Sequence, residues 1–249
     1  MNLTKLEKVL EKEPAYRLKQ VKKAAFRDLI DDWNKVSTLP LRLREKLNKG
    51  CPLLINGELF FSADQKTIKT LITLNDGLKI ESVLMRHKPR SRKSLTEQVR
   101  YGERFSLRGK NRNTICVSSQ IGCPLDCKFC ATGKMGFKRN LEVFEMVEQV
   151  IFFARYLKKT KEKVTNIVFM GMGEPFLNYE NVISAIKILN DKEGFNLGAR
   201  KFSISTVGIT EGIKKLAEEK LQINLAISLH ASNNKLRSEL IQFLSHHLK

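Results

Sequence analysis

CVSSQIGCPLDCKFCATG, residues Cys116–Gly133, decides how the chain is read. Three of the chain's five cysteines, Cys123, Cys127 and Cys130, fall within eight residues in a C-x3-C-x-F-C pattern. The preceding TICVS reads as a short buried strand, so the thiols stand on the loop that follows a strand. An odd number of cysteines, clustered rather than dispersed, argues against a disulfide framework and for metal. Structural zinc wants four closed ligands, commonly from paired C-x2-C units, and the second pair is missing. Cys116 from mid-strand, or His87 across a long loop, could complete a zinc set. A cubane iron–sulfur cluster is usually held by four thiolates, so three leave one iron open to a small molecule.

Downstream of this loop the chain alternates strand and helix. Val143, Val147, Val150–Ile151 and Ala154 recur at helical spacing, and NIVFM is a second strand. Asn178–Asn190 predicts a helix, KFSIST a third strand, Glu211–Lys220 a helix and QINLAIS a fourth strand. Repeated β-α units build a parallel sheet with right-handed crossovers. In such sheets the strand C-termini gather the site. GMGEP (171–175) follows the second strand there, and its glycines let backbone approach a ligand. Glu174 offers a carboxylate to an ammonium group. STVG places Ser205, and SLHA places Ser228, Leu229 and His230, on the same face.

Upstream, residues 1–50 read as basic helices: Leu3, Leu6 and Val9–Leu10 share a face, Pro14 opens a second stretch through Leu29, and LPLRLREKLNKG stops at Gly50. Residues 51–85 are short and β-rich, with a hairpin signal at Asn75-Asp76-Gly77. Arg86–Asn113 holds ten Lys or Arg against two Glu and reads as an exposed basic insert. The expected organisation is a helical RNA-binding extension (1–50), a small β segment with the basic insert (51–113) and an incomplete barrel (114–249).

The chain of 249 residues has 45 Lys plus Arg against 26 acidic residues, a net charge of +19. That field attracts polyanions, and nucleic acid is the natural partner through phosphate neutralisation. No apolar run approaches the ~18–20 residues of a membrane helix. MNLTKLEKVLEKEPAY lacks the apolar core of a secretory signal, so no membrane association and a cytoplasmic location are expected.

The cysteine loop resembles the signature of the radical S-adenosylmethionine enzymes. CVSSQIGCPLDCKFCATG, GMGEP, STVG and SLHA, taken in order with LPLRLREKL and IESVLM, resemble more narrowly the RlmN/Cfr type of ribosomal RNA adenine methyltransferase, over roughly Leu39 to Arg237. The resemblance implies an α/β fold, a partial (β/α)6 barrel with about four β-α units present, behind an N-terminal helical and small β extension. It implies a [4Fe–4S] cluster on Cys123, Cys127 and Cys130, with S-adenosylmethionine on its open iron and Phe129 near the cofactor. Gly173, Glu174, Ser205, Ser228, Leu229 and His230 would bind S-adenosylmethionine; Glu81 would accept a proton; Cys116 would help resolve a protein–RNA adduct. The implied substrate is carbon 2 (carbon 8 in the Cfr branch) of an adenine in 23S rRNA, with tRNA as a second target and an electron donor for the cluster. The family first methylates a cysteine near its own C-terminus, and here no cysteine follows Cys130. The expectation is a C-terminally truncated member that cleaves the cofactor without completing methyl transfer. The alternative is a non-catalytic RNA-binding fragment with an iron–sulfur or zinc site.

Overall fold

A computed structural model of the chain describes residues 3–87 and 111–241. The N-terminal part holds helices α1 (Leu3–Leu10), α2 (Tyr16–Lys22) and α3 (Leu41–Gly50). Leu6 and Leu10, and likewise Leu43 and Leu47, recur at i, i+4 and are buried. Around them sits Trp33, fully buried, whose indole Nε1 donates to the Cys51 carbonyl at 2.8 Å. The second helical stretch ends differently from its periodicity. α2 runs into a π-helical turn, Lys23–Arg27, and the chain leaves it at Leu29 with φ +52°.

Strands β1 (Asn56–Phe61), β2 (Thr67–Thr73) and β3 (Lys79–His87) form an antiparallel meander. The expected hairpin lies at 75–77, where Gly77 takes φ +81°, a backbone conformation that glycine adopts without penalty. β4 (Arg112–Val117) then pairs antiparallel with β3, Val83 opposite Cys116 and His87 opposite Arg112. A minor ribbon of β5 (Gln120–Ile121) and β6 (Arg139–Asn140) brackets the cysteine loop and the short helix α4 (Ala131–Lys134). The chain continues as α5 (Val143–Lys159), β7 (Asn166–Phe169), α6 (Tyr179–Asn190), β8 (Phe202–Thr206), α7 (Thr210–Glu218), β9 (Asn224–Ile227) and α8 (Asn234–Leu240).

One sheet of order β1-β2-β3-β4-β7-β8-β9 results, with β4, β7, β8 and β9 parallel. These are the four expected β-α units, and the small β segment continues their sheet rather than standing apart. Arg139 strengthens the join by pairing with Asp76 in the hairpin and Glu145 on α5, each at 2.7 Å. At the other end of β3, Arg86 pairs with Glu162 at 2.9 Å, and Asn113 of β4 donates to the same carboxylate.

Strand alternation sorts side chains to two faces. Ile80, Leu84, Ile115, Val117, Ile167, Phe202 and Ile204 are buried on one face, beneath α5 and α6. Glu81, Val83, Cys116, Val168, Ser203, Ser205 and Ala226 fall on the other, where residues are half-buried or exposed. The basic insert lies mostly at 88–110, and the last eight residues at 242–249, both outside the described residues. No described helix is long and apolar enough to cross a membrane.

Candidate active site at the strand C-termini

The loop after β7 is seated on the segment after β4. Ser119 and Gln120 both donate backbone N–H to the Met172 carbonyl, at 2.8 and 3.1 Å. Ser118 Oγ accepts from Met172 N at 2.9 Å and donates to the Glu81 carbonyl at 2.5 Å. Gln149 of α5 satisfies both backbone groups of Ser118, at 2.8 and 3.0 Å. Gly173 is required here: its φ is +94°, and a Cβ would stand 2.4 Å from Gln120 Cβ. Asn178 completes the seat by donating to the carbonyls of Ser119 and Leu141, both at 2.8 Å.

Glu174 is 4% exposed. Its backbone N–H donates to Gln120 Oε1 at 2.8 Å. Its carboxylate accepts from Phe176 N at 3.1 Å and from Val207 N, beyond β8, at 3.0 Å. Burial raises its pKa, against hydrogen bonds from Thr206, Val207 and Phe176 that favour the charged form. The carboxylate thus ties two strand ends together and lines a cleft of about 330 Å³. That volume falls in the roughly 300–1,000 Å³ range of ligand pockets.

Cys123, Cys127 and Cys130 line the same cleft, with Phe129, Gly171, Gly173, Ser205, Ser228 and His230. Cys127 is buried among Leu125, Val207 and Ile241. Burial pushes its thiol up to about 11, and the facing Cys123 and Cys130 add to the shift. Burial also raises Cys123, with Glu174 and Cys130 contributing. Such thiols ionise when a cation takes the proton's place. Among the described residues no three His, Cys, Asp or Glu side chains stand together as ligands of one metal ion. Three thiols sharing one cleft suit a cubane, in which each thiolate binds a different iron.

The β9 side of the cleft is looser. Ser205 and Ser228 hydroxyls lie 3.0 Å apart, across paired strands. His230 has φ +57° and packs on Phe129 with ring centroids 4.7 Å apart, joining the strand end to the cysteine loop. The Leu229 side chain is 62% exposed and does not line the cleft; its carbonyl accepts from Arg237 Nε at 3.1 Å. Glu81 and Cys116 do not line the cleft; they lie on the same open sheet face as Ser205. They are diagonal neighbours across β3 and β4, about 7–8 Å apart by strand geometry. Glu81 pairs with Lys69 at 2.9 Å. Burial pushes the Cys116 thiol up to about 11, against a hydrogen bond from Met170. Ser118, Gln120, Asn178 and Arg237 carry no role in the sequence reading. Each makes at least one contact 30 to 59 residues away, to Met172, Glu174, Ser119 and Val207 respectively, and no local pattern announces such contacts.

The model of the radical SAM superfamily matches residues 117–245. The chain belongs to the radical SAM superfamily. A crystal structure of a radical SAM methyltransferase from Sphaerobacter thermophilus superposes with a TM-score of 0.84 at 40% identity, covering 99% of this chain and 67% of that one. The ribosomal RNA large subunit methyltransferase N of Nitrosopumilus maritimus is 45% identical over 229 residues, 91% of this chain and 61% of its own length. A probable dual-specificity RNA methyltransferase RlmN of Dictyoglomus turgidum is 43% identical, over 92% of this chain and 60% of its own. The chain therefore spans about 60% of these curated relatives. Membership in the radical SAM superfamily implies a [4Fe–4S] cluster and S-adenosylmethionine as cofactors, and the clustered thiols beside a buried carboxylate fit both.

Proposed function

We propose that this chain forms the cofactor-binding part of a radical SAM methyltransferase acting on carbon 2 of an adenine in 23S rRNA, with tRNA as a second substrate, through a methylated cysteine. The observation that carries the reading is the gathering of three thiols, Glu174, Ser205, Ser228 and His230 in one cleft from four successive strand ends. Cys123, Cys127 and Cys130 would hold the cluster. Bound there, cluster and S-adenosylmethionine supply a carbon radical by one-electron cleavage. Glu174 and the backbone at Gly173, which line the cleft, would hold the ammonium of the methionine moiety. Ser205, Ser228 and His230 line the remainder, and Leu229 contributes backbone. Phe129, braced by His230, would stand beside the cofactor.

Cys116 and Glu81, on the open face, are assigned to adduct resolution and proton acceptance. The names of the relatives support an RNA substrate, as does the net charge of +19. An adenine worked on at its ring must be reached outside its stack. A one-electron donor is a required partner.

The test is anaerobic reconstitution with iron and sulfide. Absorbance near ~400 nm is expected, followed by single-turnover release of 5′-deoxyadenosine under a low-potential reductant. Cys127→Ser should abolish both. Stoichiometric zinc and no brown chromophore would instead favour the RNA-binding module.

A further inference from the structure

We propose that Arg237, on α8, is a positioning residue that sets the β8–β9 wall of the cofactor cleft; the inference rests on the functional reading above. Its guanidinium reaches three carbonyls on two strand ends. Nη2 donates to Val207 O and to Ser228 O, the latter at 3.3 Å, and Nε donates to Leu229 O at 3.1 Å. The N–H groups of Val207 and Ser228 are tied from the opposite side. Val207 N donates to the Glu174 carboxylate, and Ser228 N donates to Thr206 O at 2.8 Å.

A carboxylate and a guanidinium therefore grip Val207 from its two ends. Charge-assisted bonds of this kind are about twice as strong as neutral ones, and linked bonds polarise one another. The planar fork is what lets one side chain serve several carbonyls; an ammonium is a point donor. The grip ends where it matters for the cleft. His230 follows directly, in a left-handed conformation that side-chain-bearing residues seldom adopt, and its ring rests on Phe129. α8 also reaches the cysteine loop. Its Leu240 carbonyl accepts from Lys128 N at 3.0 Å, and the next residue, Ile241, is fully buried beside Leu125 and Cys127. Arg237 thus fixes the distance between strand ends and cysteine loop without facing the cofactor itself.

The experiment uses the reconstituted 249-residue chain with Arg237→Ala and Arg237→Lys. S-adenosylmethionine affinity is measured by anaerobic equilibrium dialysis, and the cluster's paramagnetic resonance spectrum is recorded with and without it. Iron content and circular dichroism report folding. Arg237→Ala is expected to keep its iron and weaken affinity about tenfold, roughly 1.4 kcal/mol, with a smaller cofactor-induced change in the spectrum. Arg237→Lys is expected to recover only part of that loss. Wild-type affinity and spectrum in Arg237→Ala would overturn the proposal, since an arginine that merely stabilised the fold would leave both unchanged. If Arg237→Ala does not fold, Arg237→Lys decides: a several-fold loss supports the fork, and undiminished affinity overturns it. Failure of the unsubstituted chain to bind cofactor would be a distinct result, removing the functional reading and this one with it.

Discussion

The two walls of the cleft are built on opposite terms. On the β7 side, Gly171–Glu174 is pressed against Ser118–Gln120, and Met172, Glu174 and their partners exhaust almost every backbone group nearby. On the β9 side, Ser228–His230 is held by one hydroxyl pair, one backbone bond from Ser228 to Thr206, one ring contact and the Arg237 fork. The first wall is preformed before any ligand arrives. The second holds its shape through fewer contacts, made largely by side chains.

The sharpest way to break this comparison is Gly173→Ala. The side chain would meet Gln120 in a strained backbone conformation, costing about 1–2 kcal/mol from the dihedral and 1–3 from overpacking. Gly77→Ala is the control, since Gly77 shares a positive φ but has nothing within 4 Å of the added carbon. Its cost should be the dihedral part alone, and denaturant midpoints of the two variants measure the difference. Equal losses would mean that the seat on Gln120 is not tight.

Glu174→Ala comes next. Two buried N–H groups lose their acceptor, at about 2–4 kcal/mol in all, and cofactor binding should disappear. Glu174→Gln keeps an acceptor oxygen and should restore part of the stability without the affinity. On the other wall, Phe129→Ala should cost about 1 kcal/mol or less, because the ring is 51% exposed. Its effect should appear instead as weaker cofactor binding in dialysis. Ser228→Ala should be smallest, about 0.5–1 kcal/mol by thermal melt. A loss at Ser228 as large as at Gly173 would erase the distinction between the walls.

The legible parts of the molecule were those with local signatures. NIVFM, KFSIST and QINLAIS announced β7, β8 and β9, and the spacing of Val143 to Ala154 announced α5. The motifs placed the thiols, Glu174, Ser205, Ser228 and His230 at strand ends, and these meet in the cleft. Contacts made at long range were not legible. β3 finds β4 across more than twenty intervening residues, so a boundary drawn from composition at 113 falls inside a strand pair. The π-helical turn at Lys23–Arg27 departs from a helical period that continues smoothly through it. Arg237 reads in sequence as one more basic residue on a short helix, and its value comes from carbonyls that only the fold brings within reach.

The rung between His87 and Arg112 has a consequence for how this protein tolerates change. The stretch between them departs from and returns to partnered positions of a single ladder, and Glu162 staples both strands beside the exit. The register that sets Val83 opposite Cys116 is carried by the β3–β4 ladder itself and by that carboxylate. Loss of Glu162 would therefore loosen both strands at once, at the end of the ladder farthest from the cofactor cleft.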